Sequence, residues 1–221
     1  MELESAIRGR RSIRAYKPEP VPAALISEIL DAARWSPSWA DTQDWNVYVI
    51  TGDSLERVKN GLRLRMQTEA PPTPDLPMPG REWPEPLQRR IGRLVQAQRE
   101  HLAAAGQAGT PPAPGPGFAD LFGAPALLVF AIDEGLAPNY ASFDAGLLVQ
   151  SILLAAHDRG LGTCVMAMTV RYPDVLREVL PETGDKRFLI GVALGYPDEQ
   201  APINGFERPR AQLKEFVTWA N

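Results

Sequence analysis

Arg8-Gly9-Arg10-Arg11-Ser12-Ile13-Arg14 places four guanidinium groups and a hydroxyl within seven residues. A guanidinium matches the oxygen spacing of a phosphate and can hold it through two parallel hydrogen bonds. If the chain is extended from Ser12 to Tyr16, Ser12 and Arg14 share one side and Arg11 takes the other. The run therefore reads as a phosphate cradle or as a solvated basic surface. Arg208 and Arg210, in GFERPRAQL near the C-terminus, are the cations that could complete a cradle. A second unusual stretch is Ser36-Pro37-Ser38-Trp39-Ala40-Asp41-Thr42-Gln43-Asp44-Trp45. It lies between a helical pattern and a strand pattern and carries far more polar and aromatic capacity than a turn needs.

Other constellations fail on spacing. GPGFAD at 115–120 and GLGTCV at 160–165 lack the third glycine of a dinucleotide fingerprint. There is no GxxxxGK[ST] and no GxSxG. Cys164 falls in an apolar strand pattern, which suits a buried structural thiol better than a nucleophile. His101 and His157 stand apart from other soft ligands, so no metal spacing is present.

Composition narrows the class. The chain has 221 residues, of which 44% are hydrophobic, enough for one domain with a substantial core. A net charge of −4 argues against general nucleic-acid binding. One cysteine cannot form an intrachain disulfide. With no signal peptide visible, a cytoplasmic location is expected. The longest apolar runs, such as Ala124 to Ile132, are too short to cross a membrane.

These residues need elements to position them. Residues 3 to 8 read as a short helix ending near Gly9. Leu25, Ile26, Ile29, Leu30 and Ala33 give helical periodicity over Pro22 to Arg34, with Pro22 in the first turn. Asn46 to Thr51 is β-branched and aromatic, hence a strand. Asp53 and Glu56 form a capping pattern for a helix to about Met66. Then 11 of the 22 prolines fall between Pro71 and Pro116. Proline removes a donor and fixes φ, so this stretch is expected to be irregular, apart from a helix marked by Leu87, Ile91, Leu94, Val95, Gln98 and Leu102. Residues 68–117 thus read as an insertion that covers something, with GQAGTPPAPGPG at 106–117 a mobile loop. Further on come a strand at Ala126 to Ile132, a helix from about Ser142 to Asp158 stopped by Gly160, and a strand at Leu161 to Met168. A short helix at Pro173 to Leu180 and a buried strand at Arg187 to Leu194 follow. The tail, Gln212 to Trp219, is helical or extended. The pattern is α+β, a small sheet flanked by helices, in a single domain over 1–221.

Four segments, in order, resemble the nitroreductase-like flavoprotein family. They are Arg10 to Tyr16 with Pro20-Val21-Pro22; Ala32 to Trp45; Asp144-Ala145-Gly146 with Gln150 to Ala156 and Gly160 to Cys164; and Val192 to Asp198 with Arg208-Pro209. The match covers nearly all of the chain outside residues 60 to 118. Trp83, Arg89, Arg90 and Phe122-Gly123-Ala124-Pro125 point to the nitrobenzoate-reductase-type branch.

The resemblance implies a nitroreductase-like fold with a small, mostly antiparallel sheet, and an intertwined homodimer with FMN at the subunit interface. It implies that Arg10 and Ser12 hold the phosphate and ribityl, supported by Arg11 and closed by Arg208. Arg14 would face the pyrimidine edge, where a fixed cation stabilises developing negative charge. Pro37, Ser38, Trp39 and Asp41 would come from the other subunit. Ala167 and Met168 would offer backbone groups to the N5/O4 side. The implied activity relays hydride from NAD(P)H through FMN to a nitroaromatic, quinone-like or related small aromatic acceptor, with no protein residue as acid or nucleophile. Alternatives are a dehalogenase, dehydrogenase or flavin-fragmenting enzyme of the same fold, or a non-catalytic flavin-binding dimer.

Three positions depart from the family pattern. Asp41 stands where Asn is usual, Asp44 where Pro is usual, and Trp39 where a small residue is common. An ionised Asp41 only accepts hydrogen bonds and is expected to lower the flavin potential unless an arginine neutralises it. Trp39 reads as a substrate-side ring or an interface anchor. Gln43 and Trp45 are expected to fix the loop and pack inward.

Overall fold

The computed structural model describes residues 1–80, 82–109 and 116–220. Its elements in chain order are α1 (Leu3–Gly9), α2 (Ala23–Ala33), β1 (Trp45–Thr51), α3 (Gly52–Gln67), α4 (Glu85–Ala104), β2 (Ala126–Asp133), α5 (Pro138–Asp158), β3 (Gly162–Met166), α6 (Pro173–Arg177) and β4 (Lys186–Gly195). The strands form one antiparallel sheet in the order β1-β2-β4-β3, with an irregularity in register between Phe130 and Ala131. The chain is α+β, as its pattern implies.

The core lies on both faces of the sheet. β2 is buried along almost its whole length, so its side chains serve both faces in alternation. Leu127, Val129 and Ala131 pack with Leu55, Val58 and Leu62 of α3 and Val175 and Leu176 of α6. Leu128 and Phe130 pack with Ile26 and Ile29 of α2 and Leu148 and Ile152 of α5. α5 is therefore a central helix with a long buried stripe. Its end at Asp158 is followed by Gly160 in the left-handed region, at φ 75°.

The segment after α1 is extended, as the Ser12–Tyr16 pattern suggests. Ser12 bridges in parallel to Thr163 of β3, and Tyr16 bridges antiparallel to Pro197. The Ile13 amide donates to the Thr163 carbonyl at 2.9 Å. This lays the arginine run along the outer edge of the sheet.

Several boundaries differ from the sequence expectation. α5 begins at Pro138, a turn before Ser142, because proline suits the first helical position. β3 stops at Met166, where the Thr169 hydroxyl donates to the Met166 carbonyl at 2.7 Å and the chain turns as a 3₁₀ helix, Ala167–Val170. The Asp53–Glu56 capping pattern is not used. Thr51 is the N-cap residue of α3, without a side-chain cap, and Glu56 instead meets Lys59 at 2.9 Å.

The proline-rich arm has no helix or strand, but it is fastened down. Asp75 accepts both Arg177 Nη groups, at 3.1 and 2.9 Å, and the Phe188 amide at 2.9 Å. The Tyr172 hydroxyl donates to the Ala70 carbonyl, and the Thr73 amide to the Arg171 carbonyl. α4 docks on the C-terminal region. His101 Nε2 lies 2.7 Å from the Pro202 carbonyl and therefore donates, and Arg90 reaches Glu215 at 3.2 Å. Of the loop at 106–117, residues 110–115 lie outside the described residues.

Candidate functional site

Arg10, Arg11, Arg208 and Arg210 converge although about 200 residues separate the two pairs. Arg208 Nη2 donates to the Arg8 carbonyl at 2.8 Å and also to the Arg10 carbonyl, so the C-terminal segment is tied back onto the end of α1. Burial, followed by the neighbouring Arg210, holds the Arg10 guanidinium below its ordinary value. Burial also lowers Arg208, with Arg210, Arg10 and Arg11 adding to the effect. Neighbouring arginines that add to the effect of burial at Arg10 and Arg208 mark cations gathered at short range, a field that favours an incoming anion. Arg208 Nε is buried with no partner among the described residues.

Beside this group is a cavity of about 490 Å³, bounded by Arg10 and Arg11, by Gly160 to Thr163, and by Asn204. That volume is typical of ligand clefts. An adjoining space of about 440 Å³ has Arg8, Arg11, Arg208 and Arg210 in its wall. Ser12 and Arg14 lie on the other side of the extended segment from Arg11, as strand alternation requires. Both approach Cys164, whose thiol is pushed up chiefly by burial and opposed by Arg14 and the Ser12 hydroxyl. Cys164 is 4% exposed. It is a buried neutral thiol, as its apolar context implies.

Asn204 organises this edge. Its Oδ1 accepts the Arg14 amide at 2.8 Å, and its Nδ2 donates to the Ala15 and Asp198 carbonyls at 2.7 and 2.9 Å. Nothing in the sequence pattern singles it out. Asn204-Gly205 reads as an ordinary turn dipeptide, and only the fold brings it to residues 14 and 15.

The loop at 36–45 is built against the other half of α5. Ser36 Oγ donates to the Ala33 carbonyl and meets Ser151 Oγ, both at 2.7 Å. The Trp39 amide donates to the buried Asp144 carboxylate at 2.8 Å. Gln43 fixes the loop as expected, its amide donating to Ser38 Oγ at 2.9 Å and its Nε2 to Asp41 at 3.2 Å. Within the chain, Asp41 meets Gln43 rather than Arg14. Ala40, Asp41 and Gln43 all have positive φ, at 48°, 57° and 48°. Such strain costs about 1–3 kcal/mol per residue and concentrates at working sites. Trp39 is 67% exposed. Asp44 Oδ1 is buried without a partner among the described residues, and burial, then Asp144 and Asp133, push its carboxyl up.

The structure brings Arg10, Arg11, Ser12, Arg14 and Arg208 together at one edge. It does not bring Pro37, Ser38, Trp39 and Asp41 to them. Asp144, which anchors that loop, is thirteen residues from His157 beside the arginine group. That spans about 20 Å of helix. Ala167 and Met168 follow β3, about 13 Å of strand beyond Thr163. Met168 already accepts the Arg171 amide on its carbonyl, at 3.1 Å. This turn sits directly on β4, since a Cβ on Gly191 would lie 2.2 Å from Thr169 Oγ1. Among the described residues, no group of His, Cys, Asp or Glu could hold a metal ion, and no helix is long and apolar enough to cross a membrane.

Residues 7–196 match the family model for the nitroreductase family. The chain belongs to the nitroreductase family. It is 33% identical over 218 residues to 4-nitrobenzoate reductase of Pseudomonas putida, covering 98% of this chain and 94% of that protein. It is 32% identical over 235 residues to nitrobenzene nitroreductase of Ectopseudomonas oleovorans, covering 99% and 97%. Among solved structures, the FMN-dependent nitroreductase NfnB from Mycobacterium smegmatis, in complex with NADPH, superposes with a TM-score of 0.86 at 26% identity, over 99% of this chain and 97% of that one. The nitroreductase fold, implied by the four ordered segments, and the nitrobenzoate-reductase-type branch, implied by Trp83, Arg89, Arg90 and Phe122-Gly123-Ala124-Pro125, are thereby established.

Proposed function

We propose that this chain is an NAD(P)H-dependent FMN oxidoreductase that reduces a nitroaromatic, quinone-like or related small aromatic acceptor. One observation carries the reading: in a nitroreductase, Arg10 and Arg11 border a ligand-sized cavity and Arg11, Arg208 and Arg210 an adjoining one, with Arg208 Nε buried and without a partner among the described residues. These residues fit FMN, whose phosphate would meet Arg10, Arg11 and Arg208 with bidentate geometry and find a donor in Ser12. When bound, FMN supplies the hydride-transfer chemistry that side chains lack.

The chain's residues would bind, orient and exclude water. Asn204 holds the Arg14 backbone, so Arg14 keeps a fixed cation near the pyrimidine edge, where it stabilises negative charge. Ala167 and Met168 offer backbone polar groups toward N5 and O4. Pro37, Ser38, Trp39 and Asp41, about 20 Å along α5 from the arginines, serve the FMN of a second copy in an FMN-bridged homodimer. Exposed Trp35, Trp39, Tyr140 and Phe143 near that loop favour such an interface, since large exposed aromatics of this kind mark contact surfaces. The lone buried thiol suits a cytoplasmic location.

The test is cofactor content. Protein purified from cells should release one FMN per subunit on denaturation and scatter light as a dimer. Arg10→Ala and Arg208→Ala should each weaken FMN binding about tenfold or more, from loss of a charge-assisted hydrogen bond. Unchanged FMN affinity in both variants would overturn the phosphate assignment.

A further inference from the structure

His157 stands in the last turn of α5, at the wall of the cleft that Arg10, Arg11, Thr163 and Asn204 also line. The apex of its ring points at the end of α1. A Cβ built on Gly9 would lie 2.7 Å from His157 Nε2, so any side chain at position 9 would drive the ring away. Glycine inside the Arg8–Arg11 run is therefore what admits the imidazole to the arginine group. Neither ring nitrogen has a hydrogen-bond partner among the described residues.

The charged groups around it come from five parts of the chain. The segment after α1 contributes Arg10 and Arg11, and the C-terminal segment contributes Arg208. From α5 itself comes Asp158, which pairs with the Met1 ammonium at 2.6 Å. Glu199, on the turn after β4, and Met1 complete the cleft wall. Burial first, then Arg10 and Arg11, hold the imidazole below its ordinary value, with Arg208 adding to them and Asp158 opposing. Without an anion the ring is therefore neutral at pH 7.

We infer that His157 is a proton-dependent ligand of the FMN phosphate, protonated and donating a ring N–H when the phosphate enters the cleft. This rests on the FMN reading above. A phosphate dianion offsets the arginines and gives a ring N–H an acceptor, so binding draws one proton from solvent onto the ring. The imidazole pKa is then higher in the bound state than in the free state. The gain in affinity is present in full below the free-state pKa and is lost as pH rises through the bound-state pKa. FMN's own second phosphate ionisation, near pH 6, runs the other way. It acts equally on every variant and cancels in a ratio of dissociation constants.

The experiment titrates full-length, flavin-stripped protein with FMN between pH 5.5 and 8.5, following flavin fluorescence, for wild type and His157→Gln. Riboflavin, which lacks the phosphate, is the control. The ratio of variant to wild-type Kd for FMN should be about tenfold at the acid end, the worth of a charge-assisted hydrogen bond, and close to one at pH 8.5. The riboflavin ratio should be close to one throughout. A ratio that does not change with pH, or equal ratios for FMN and riboflavin, overturns the assignment. Should His157→Gln not fold, the imidazole NMR titration of wild type decides. The chain has two histidines, and the His157 signal must shift to higher pKa on FMN loading. Absence of that shift rejects the proposal. Wild-type protein that binds no FMN at any pH would contradict the FMN reading itself.

Discussion

Asn204→Asp changes one NH₂ to an oxygen, yet it should be among the most damaging substitutions near the cleft. Asn204 is 7% exposed and makes three hydrogen bonds to the backbone. Aspartate can still accept the Arg14 amide. It cannot donate to the Ala15 and Asp198 carbonyls, now 2.7 and 2.9 Å from the lost NH₂, and it sets a carboxylate oxygen against both. Two lost bonds contribute about 1 kcal/mol each, and unsatisfied buried acceptors facing an anion raise the total to about 3 kcal/mol. Asn204→Ala loses all three bonds but introduces no repulsion, so its cost should be no greater. Urea denaturation of both variants measures this. FMN titration should show weaker binding in both, because Arg14 and its neighbours lose their anchor. An Asn204→Asp protein within about 0.5 kcal/mol of wild type would refute the reasoning, since that is the range of substitutions that disturb nothing.

Two other outcomes follow from the geometry. Asp75→Ala leaves Arg177 and the Phe188 amide without their shared acceptor, and should cost about 3 kcal/mol in urea denaturation while exposing the 68–80 arm to proteolysis; wild-type stability and protease resistance would show that the arm is held by other contacts. If the proposed homodimer brings this loop to the flavin of a second copy, Asp41→Asn removes an anion beside that flavin and should raise its midpoint potential by about 30 mV, equivalent to about 1.4 kcal/mol for a two-electron couple. Redox titration checks this, and an equal or lower potential counts against the placement of Asp41.

Local features of the fold were legible because they depend on nearby residues. The periodicity of Leu25, Ile26, Ile29 and Leu30 marks α2, and the continuous apolar run of β2 marks a strand buried on both faces. The sidedness of Ser12, Arg14 and Arg11 was legible only on the condition that Ser12–Tyr16 is extended, and the bridges of Ser12 to Thr163 and Tyr16 to Pro197 supply that condition. Contacts across the chain were not legible. Asp75 finds Arg177 across 102 residues, and Asn204 finds Ala15 across 189. Neither residue type announces such a clamp. The strain at Ala40, Asp41 and Gln43 was hidden for another reason, as none is glycine and their left-handed backbone is imposed by Ser38 and Asp144. His157 attracted notice only as a poor metal ligand, because its place beside Gly9 depends on how α5 meets α1. The end of β3 at Met166 was blurred by the apolar residues that continue past it, while the hydroxyl of Thr169 makes the turn.

The central claim is that this chain passes electrons from a nicotinamide to an aromatic acceptor through FMN held at the arginine cleft. The most direct measurement is an anaerobic titration of FMN-loaded protein with NADPH and with NADH, followed at the flavin absorbance band. At least one nicotinamide should bleach the band, and a nitroaromatic such as 4-nitrobenzoate should then restore it without oxygen. A flavin band that neither nicotinamide bleaches would contradict the account.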